Sequence, residues 1–454
     1  MNATLINKYN IPAPRYTSYP TVPFWEADKF SVNRWKQSVV HSFEESNPQE
    51  GISLYIHLPF CEQLCTFCGC NKRITKNHQV EHPYIDTVLK EWQMYRGLFS
   101  HPPRIKELHL GGGSPTFFQA KNLAYLIEEI LKDTQLDDQP MFSFEGNPNN
   151  TTEEHLKTLF DLGFRRVSYG IQDYHPAVQK AIRRIQPFEQ VQKIHELSRK
   201  IGYTSVNHDL IYGLPMQTLD SVLDTIQKTQ QLRPDRIAFY SYAHVPWIKG
   251  NGQRGFSEKD LPQSAQKRKL YEEGRKLLEN SGYYEIGLDH FSLREDDLYQ
   301  ALEQGDLHRN FMGYTSSKTQ LMVGLGVSSI SDSWYGFAQN VKKVEEYQHL
   351  VNQGEWPVFR GHHLTPEDLV IRQHILNLMC QLETNWEMST AFFAELPQTW
   401  KRLEVFQQDQ LIELNDHSMR IKTAGQPFLR NICLAFDTRF WRKQPVGQTF
   451  SMSI

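Results

Sequence analysis

A regular alternation of short apolar runs and amphipathic helical stretches, which begins at Gly51, restricts this chain to few folds. Each apolar run has the length of a strand and ends in a turn rich in Gly, Pro or Asn, and a helical pattern follows it. This order predicts βα units with a parallel sheet, and so a barrel-like α/β fold. The predicted strands are 52–57, 105–110, 141–145, 166–169, 204–212 and 236–242. The predicted helices between them are 84–98, 122–133, 152–162, 188–201 and 219–232.

Four of the six cysteines lie within ten residues, in the loop that follows the first predicted strand. In barrels of this kind the loops at the carboxyl ends of the strands carry the reactive groups. Cys61, Cys65 and Cys68 have the spacing C-x3-C-x2-C, which lets one loop supply three thiolates to an iron–sulfur cubane and leaves one iron open to a small molecule. Cys70 is a fourth thiol, two residues beyond the third.

Two other uses of clustered cysteines fit less well. A structural zinc site usually pairs two short spacings across a longer loop, and no second pair follows this one. A disulfide cluster is typical of small secreted proteins, whereas this chain has 454 residues and two isolated cysteines, Cys380 and Cys433. We interpret those two as buried thiols.

The loop after the second predicted strand has the sequence GGGSPT at residues 111–116. Glycines let a backbone approach a ligand closely. The loop is not a phosphate-binding P-loop, because no Gly-Lys-Ser/Thr follows it. It is a weak signal alone, but its position beside the cysteine loop favours a ligand contact.

Polar side chains end the next three predicted strands, at Glu145, at Gln172 with Asp173, and at Asp209. A single acidic residue at a strand end is more often a helix cap than a ligand contact. Three such ends in register around one rim favour a site. Carboxylates and an amide suit ribose hydroxyls and an ammonium group.

The two ends of the chain lack the βα pattern. Residues 1–45 include a stretch too rich in proline to be helical, and we predict an N-terminal arm. The arm is either pinned by its aromatic side chains or a cover over the active site, with Arg15 available to an anion. We assign residues 46–355 to the barrel and its extension, and residues 356–454 to a mostly helical domain that closes over one end of the barrel. Its predicted helices are 368–382, 389–396 and 400–408, with hairpin-like segments at 411–414 and 419–423.

Two further features lie between the barrel strands and the C-terminal region. Arg309 is a candidate partner for a substrate carboxylate or, equally, for a structural acidic group. The stretch 324–331 is glycine-rich and apolar, which suits close packing against a flat ligand or another backbone.

The charge balance gives no reason to expect a nucleic-acid or membrane partner. Lys and Arg number 49 against 52 Asp and Glu, for a formal net charge of −3. The N-terminus lacks an apolar stretch of signal-peptide length, and no run reaches the ~18 apolar residues that a membrane helix needs. Reduced thiols also fit the cytosol, so we expect a cytoplasmic protein.

The C-x3-C-x2-C motif, with the aromatic Phe67 before its third cysteine, resembles the signature of the radical SAM superfamily. This resemblance implies a partial TIM-like (β/α)6 radical SAM barrel in which the three cysteines hold a [4Fe–4S] cluster. It also implies that S-adenosylmethionine binds the open iron and is cleaved by electron transfer to a 5′-deoxyadenosyl radical. The GGG loop is similar to the superfamily's element that contacts the aminoacyl group of S-adenosylmethionine.

Several motifs in order narrow the resemblance to the oxygen-independent coproporphyrinogen III oxidases, over nearly the full chain. They are YTSYP at 16–20, YIHLPFC at 55–61, CGCNK at 68–72, GGGSPT at 111–116, DLIYGLP at 209–215 and HRNF at 308–311. The resemblance implies that the ring A and B propionates of coproporphyrinogen III become vinyl groups, giving protoporphyrinogen IX. It also implies two S-adenosylmethionine molecules, a reductant and an electron acceptor that the sequence does not identify. We expect a monomer.

The resemblance assigns roles residue by residue. Cys70 is expected to be needed for catalysis without being a cluster ligand. One S-adenosylmethionine is assigned to Tyr55, Gly112, Glu145 and Ile330. The other is assigned to Phe67, Gly113, Ser114, Gln172, Arg184, Asp209 and Ala243.

This chain departs from the family pattern at two positions that bear on the second S-adenosylmethionine site. Asn147 stands where many members have Asp, and Met312 stands where many have Gln.

Three alternative functions stay open. A haem-binding chaperone of the superfamily usually lacks the YTSYP arm and has an aromatic residue in place of Cys70. A haem-degrading radical methyltransferase shares the cluster with a different acceptor, and iron content would exclude a structural zinc protein.

Overall fold

The computed structural model of the protein describes residues 3–246, 252–253, 255–386, 393–444, 447 and 449–453. Its strands in chain order are β1 (Ile52–Leu58), β2 (Phe60–Cys61), β3 (Arg73–Ile74), β4 (Arg104–Gly112), β5 (Gln135–Gly146), β6 (Phe164–Gln172), β7 (Ser205–Tyr212), β8 (Arg236–Ser241), β9 (Tyr284–Gly287), β10 (His290–Ser292), β11 (His308–Asn310), β12 (Gly313–Thr315), β13 (Leu321–Leu325), β14 (Ile330–Asp332), β15 (Gly336–Asn340), β16 (Val358–His363), β17 (Glu383–Asn385), β18 (Ile412–Leu414) and β19 (Ser418–Ile421).

The helices lie mainly between these strands. They are α1 (Ala3–Tyr9), α2 (Val32–Glu50), α3 (Glu81–Arg96), α4 (Ala120–Leu131), α5 (Glu153–Asp161), α6 (Pro176–Ala181), α7 (Phe188–Ile201), α8 (Leu219–Leu232), α9 (Ser264–Asn280), α10 (Asp297–Gln304), α11 (Val344–Asn352), α12 (Pro366–Gln381), α13 (Leu396–Gln408), α14 (Leu429–Phe436) and α15 (Thr438–Arg442). None of the helices in the described ranges is long and apolar enough to cross a membrane.

The predicted α/β fold is confirmed. One sheet has the strand order β16-β15-β14-β13-β1-β4-β5-β6-β7-β8-β10-β9, and its segment from β1 to β8 is the predicted set of six parallel strands. The five predicted barrel helices are also present as α3, α4, α5, α7 and α8. Helix α5 begins after Thr152, whose hydroxyl accepts the N–H of His155 in a capping box, and α7 ends at Gly202 with φ +119°.

A seventh parallel strand, β13, was not predicted. It pairs with β1, so that Val323 lies beside Leu54. The segment is short and contains Gly324, which weakens a strand signal. Gly324 is needed because a Cβ there would lie 2.4 Å from the carbonyl oxygen of Ile330. The glycine-rich stretch therefore packs against another backbone.

The two larger of the three hydrophobic clusters among the described residues hold the chain together. The first lies within and around the barrel and includes Trp35, Trp92 and Tyr169. The second joins α12, α13 and α14 to the aromatic side chains of the N-terminal arm, among them Tyr16 and Tyr19. The arm is thus packed against the C-terminal helices through its aromatic residues. Cys380 and Cys433 are buried in this second core, as predicted.

The C-terminal region is mostly helical, as predicted, with a three-stranded sheet ordered β17-β19-β18. Residues 389–392 of the predicted helix 389–396 lie outside the described residues, and residues 393–395 are not helical, because α13 begins at Leu396. Strand β16 falls inside the predicted C-terminal domain but pairs with β15 of the large sheet. The domain boundaries remain a prediction.

Candidate active site

The cysteine loop follows β1 and lines a cavity of about 260 Å³ at the carboxyl end of the parallel strands. We call it the first cavity. All three cysteines of the C-x3-C-x2-C motif line it, together with Cys70. Of the predicted S-adenosylmethionine contacts, it brings together Phe67, Gly112, Gly113, Ser114, Glu145, Gln172, Arg184 and Asp209.

Burial and mutual contact decide the ionisation of these thiols. Burial raises the pKa of Cys61 to about 12 and raises that of Cys65. Cys68 differs, because a hydrogen bond from the Cys70 thiol lowers the pKa of Cys68 to about 6. The same bond raises the pKa of Cys70. Clustered thiols that are costly to ionise alone suit a cationic centre that stabilises their thiolates.

The three motif thiols fit a [4Fe–4S] cluster. They come from one loop and face one cavity, and a cubane binds each thiolate through a different iron. Over the described ranges, no three His, Cys, Asp or Glu side chains are grouped to hold a single metal ion. A cluster does not need such a group, because its ligands do not converge on one atom.

The glycine loop after β4 lies against the start of the cysteine loop. The N–H of Gly113 donates to the carbonyl oxygen of Leu58 (2.9 Å). Gly112 has φ +119°, and its N–H donates to a carboxylate oxygen of Glu145 (3.1 Å). A Cβ on Gly112 would lie 2.9 Å from the His57 ring. Gly112 therefore has no room for a side chain, because the His57 ring occupies that space.

Substitution of Gly113 tests this packing. A Cβ there would lie 2.5 Å from the carbonyl oxygen of Pro59 and 2.9 Å from that of Phe60. We expect Gly113→Ala to push the loops apart and lower the free energy of unfolding by about 1–3 kcal/mol. Gly97→Ala is the matched control, since Gly97 has a helical φ of −65° and its new Cβ would be 3.5 Å from its nearest neighbour. Equal denaturation midpoints for the two variants would contradict this packing.

Glu145, Gln172 and Asp209 lie in the carboxyl-terminal halves of three adjacent parallel strands, β5, β6 and β7, and line the first cavity together. Asp209 accepts hydrogen bonds from the Asn207 amide (2.7 Å) and the Ser168 hydroxyl (3.2 Å). Burial raises the pKa of Asp209 to about 6. The rim therefore offers carboxylate and amide groups within one cavity, which suits hydroxyl and ammonium groups of a ligand.

Asp173 and Ala243 lie outside the lining of this cavity. Asp173 is buried, and its carboxylate accepts a hydrogen bond from the Gln217 amide (2.7 Å), so it has a structural role. The carbonyl oxygen of Ala243 accepts a hydrogen bond from Gln253, whose amide also donates to the carbonyl of Phe67 (both 3.0 Å). Ala243 is thus linked to the cavity through its neighbour rather than by direct contact.

Arg184 carries positive charge into the first cavity. Its guanidinium donates to the carbonyl oxygen of Gly170 (2.8 Å) and lies 3.4 Å from the side-chain oxygen of Asn147. An aspartate at position 147 would compensate that charge, whereas the neutral amide does not. The guanidinium therefore suits a ligand carboxylate.

A second cavity of about 310 Å³ lies beside the first. It is lined by all four residues predicted for the other S-adenosylmethionine, namely Tyr55, Gly112, Glu145 and Ile330. Met312 also lines it. The two cavities share Cys70, Gly112 and Glu145, so one thiol, one backbone position and one carboxylate face both.

The two candidate arginines both hold the N-terminal arm. Arg15 forms an ion pair with Asp289. Arg309 donates to the carbonyl oxygens of Arg15 (3.3 Å) and Tyr16 (3.4 Å) and lies over the ring of Tyr314 (4.5 Å to the centroid). Arg309 therefore has a structural role in this conformation, and Arg15 already has a carboxylate partner.

Two site residues were missed from the sequence. The ammonium group of Lys72 lines the first cavity and donates to the carbonyl oxygens of Cys68 and Cys70 (both 3.2 Å). His57 lies 3.1 Å from the Tyr55 hydroxyl and 2.9 Å from the carbonyl oxygen of Asn71. Lys72 could have been found from its sequence position, because a basic residue two positions after Cys70 is close to the motif. His57 could not, because a single histidine in a strand gives no sequence signal of a site.

The chain is similar to a known protein family, to curated relatives and to a solved structure. Residues 55–229 match the model of the radical SAM superfamily. The oxygen-independent coproporphyrinogen III oxidase of Helicobacter pylori is 36% identical over 95% of both chains, and that of Pseudomonas aeruginosa is 38% identical over 96% of this chain and 95% of its own. The solved structure of coproporphyrinogen III oxidase (HemN) from Escherichia coli, described as a radical SAM enzyme, has a TM-score of 0.89 and 34% identity, covering 96% of this chain and 98% of that one.

Proposed function

This chain belongs to the family of oxygen-independent coproporphyrinogen III oxidases and is a radical SAM oxidoreductase, and on that premise we propose its substrate and site assignment. Its substrate is coproporphyrinogen III, whose ring A and B propionates become vinyl groups in haem biosynthesis. For each propionate, a hydrogen atom leaves the β-carbon, then carbon dioxide and one electron leave, and a carbon–carbon double bond forms. The electron passes to an acceptor that is not yet identified.

The observation that carries the site assignment is the pair of adjoining cavities with shared Cys70, Gly112 and Glu145. Of the two residue sets that the family resemblance assigned to two S-adenosylmethionine molecules, Tyr55 and Ile330 line the second cavity alone, Gly112 and Glu145 line both cavities, and the other set lines the first cavity except for Ala243. This division supports two binding sites over one cysteine loop.

The cluster and S-adenosylmethionine, when bound, supply a 5′-deoxyadenosyl radical. Cys61, Cys65 and Cys68 hold the cluster through their thiolates. Arg184 orients a carboxylate and Asp209 accepts hydrogen bonds in the first cavity. The chain's remaining task is to orient ligands and exclude water around the radical.

Cys70 has the position of a catalytic group rather than a ligand. Its thiol hydrogen bonds to Cys68, and it lines both cavities. A thiol in that place can hold a proton, or give up a hydrogen atom, at the boundary between the two sites. We also propose that the protein is a monomer in the cytoplasm. Its reaction depends on a reductant and on an electron acceptor.

The decisive experiment is anaerobic. The protein is reconstituted with iron and sulfide, reduced, and supplied with S-adenosylmethionine and coproporphyrinogen III, and tetrapyrroles and 5′-deoxyadenosine are measured together. We expect protoporphyrinogen IX with about two 5′-deoxyadenosines for each product, one for each propionate. Radical formation without consumption of coproporphyrinogen would contradict the substrate, and a tight haem complex would then support the chaperone alternative.

Binding of S-adenosylmethionine should depend on pH through Asp209. Because burial raises its pKa to about 6, the folded protein keeps this proton more tightly than the unfolded chain, and the carboxylate forms as the pH rises through about 6. Between pH 7.5 and 5.5 the ionised fraction falls roughly fourfold, and we expect affinity to fall by about that factor. Titration calorimetry of reconstituted protein measures it, with cluster absorbance checked at both pH values. Asp209→Asn should bind weakly with a flat pH profile; a pH response equal to that of the wild type would exclude Asp209 as its source.

A further inference from the structure

A basic patch lies beside the second cavity, on the strands that extend the parallel sheet. We define it as Lys342, which lies shortly after β15, together with Phe359 and Arg360 of β16. The ammonium nitrogen of Lys342 lies 5.8 Å from the centroid of the Phe359 ring, and the Arg360 guanidinium lies 5.1 Å from it. Two cations therefore lie against one aromatic ring, which is 47% exposed.

The basic patch is attached to the lining of the second cavity at two points. The guanidinium of Arg360 donates to the side-chain oxygen of Gln339 (2.7 Å), whose amide donates to the carbonyl oxygen of Ser328 (3.1 Å). The Asn71 amide donates to the carbonyl oxygen of Lys342 (3.1 Å). Both Ser328 and Asn71 line the second cavity. These hydrogen bonds hold the patch at the edge of that cavity.

The two cations of the basic patch lack an acidic partner. In the ranges that the structure describes, no carboxylate forms an ion pair with Lys342 or Arg360. The buried Arg372, by contrast, pairs with Asp332 (2.6 Å). Burial lowers the pKa of both patch cations, and the positive charge of Arg360 lowers that of Lys342 further. An anion placed between two such cations is attracted by both and relieves their repulsion.

Aromatic side chains join the basic patch to the cavity wall. The Arg360 guanidinium lies 5.7 Å from the centroid of the Trp25 ring, which stacks on Phe337 (5.4 Å between centroids). Phe311 lines the second cavity and packs edge-on against Trp25 and Phe337. This cluster fixes the guanidinium relative to the cavity. The site therefore combines a fixed cation, a second cation and an exposed aromatic ring, which suits an apolar ring system with anionic substituents.

We propose that Lys342 and Arg360 bind a propionate on ring C or D of coproporphyrinogen III, while Phe359 contacts the macrocycle beside it. The proposal rests on the function given above. The substrate carries a propionate on each of its four rings, and those on rings C and D stay ionised throughout the reaction. A guanidinium binds a carboxylate through two parallel hydrogen bonds, and an ammonium group adds charge.

The position of the basic patch gives it a role in specificity. The reacting propionate has to reach the cavities assigned to S-adenosylmethionine, whereas the two cations lie at the edge of the second cavity. A carboxylate held there belongs to a different ring of the same macrocycle. Anchoring ring C or D therefore decides which rings face the cavity, and so favours reaction at rings A and B.

The test measures binding of two porphyrins that share the ring C and D propionates. Coproporphyrin III has propionates on all four rings, and protoporphyrin IX has vinyl groups in place of those on rings A and B. Both fluoresce, so fluorescence titration of the reconstituted protein under anaerobic conditions gives their dissociation constants. Calorimetry measures S-adenosylmethionine binding to the same samples.

Two variants that lose the same charges are compared. The patch variant is Lys342→Met with Arg360→Gln. The control variant is Arg96→Gln with Lys132→Met, at the ends of α3 and α4. Arg96 also lies against an aromatic ring, that of Trp92 (5.9 Å to the centroid), and Lys132 is exposed. Because the Lys342 side chain is exposed as well, Lys342→Met alone is a second test that leaves the packing around Arg360 intact.

We expect the patch variant to bind both porphyrins about tenfold or more weakly than the control variant, and by the same factor, because both ligands keep the ring C and D carboxylates. The KM for coproporphyrinogen III should rise about equally. Cluster absorbance and S-adenosylmethionine binding should be unchanged. Lys342→Met alone should weaken both porphyrins by about threefold, and Lys342→Arg should keep the affinity of the wild type.

Three results would overturn the proposal. The first is equal porphyrin affinity in the patch and control variants, or a wild-type protein that binds neither porphyrin. The second is a loss confined to coproporphyrin III, which would place a ring A or B propionate at the patch. The third is weaker S-adenosylmethionine binding with porphyrin binding intact, which would assign the two cations to the carboxylate of that cofactor.

Failure of the patch and failure of the proposed function give different results. If the wild type leaves coproporphyrinogen III untouched while the patch variant still loses affinity for both porphyrins, the substrate assignment fails and the patch remains a site for porphyrin carboxylates. If the wild type converts coproporphyrinogen III and the two variants bind porphyrins equally, the function stands and the patch is wrong.

Discussion

Cys65→Ser is expected to abolish the [4Fe–4S] absorbance and, with it, all 5′-deoxyadenosine formation. Iron–sulfur clusters need soft thiolate ligands, and a serine hydroxyl at this position is a poor substitute. Loss of one of three ligands from a single loop leaves two, and the loop has no replacement thiol in sequence at the same spacing. Anaerobic reconstitution, iron and sulfide analysis and product measurement check this expectation.

Cys70→Ser is the internal control for that result. Cys70 lies in the same loop and lines the same cavity as the motif cysteines, but it is assigned no ligand role. We expect its variant to keep the cluster absorbance and to lose roughly 10²- to 10⁴-fold in protoporphyrinogen formation, as for loss of a group that transfers a proton. Loss of the cluster in Cys70→Ser would mean that the assignment of ligands is wrong.

Arg430→Met is expected to release the N-terminal arm. The buried guanidinium donates to the carbonyl oxygens of Ala13, Pro14, Ser451 and Met452, so one side chain joins both ends of the chain. Its removal takes this donor from the carbonyl groups of the buried residues Ala13 and Pro14. Each such group costs about 1–3 kcal/mol, and we expect a loss of about 3 kcal/mol or more in the free energy of unfolding.

Chemical denaturation measures the loss, and limited proteolysis shows whether the arm becomes accessible. Arg420→Met is the matched control, because Arg420 forms an exposed ion pair with Glu383 and should change stability by less than about 1 kcal/mol. If both variants have the same stability and the arm stays resistant to protease, then the network around Arg430 does not hold the arm.

Detachment of the N-terminal arm in Arg430→Met should also lower enzyme activity. Its residues Arg15 and Tyr16 accept the hydrogen bonds of Arg309, and Arg15 pairs with Asp289. An arm that detaches would free both arginines. The variant is therefore expected to lose activity while it keeps the cluster absorbance, which separates an effect of the arm from an effect on the cluster.

Much of the barrel could be predicted because its signals are local. A strand or helix pattern needs only the periodicity of a dozen neighbouring residues, and the ends of α7 and α8 were predicted to the residue. The cysteine motif is equally local, since one loop supplies all three ligands. The rim residues Glu145, Gln172 and Asp209 could be placed together because parallel strands end at one edge of the sheet.

Only the tertiary structure decided which residues far apart in the sequence contact one another. The sequence by itself determined the order of βα units, the cysteine loop and the candidate contacts of the cofactors. It could not distinguish Asp209, which faces the cavity, from Asp173, which is bonded to Gln217, because both are acidic residues near the carboxyl end of a parallel strand. Nor could it pair Arg15 with Asp289 or place β13 beside β1. Such contacts join residues far apart in sequence, and they depend on how whole elements pack rather than on any local pattern.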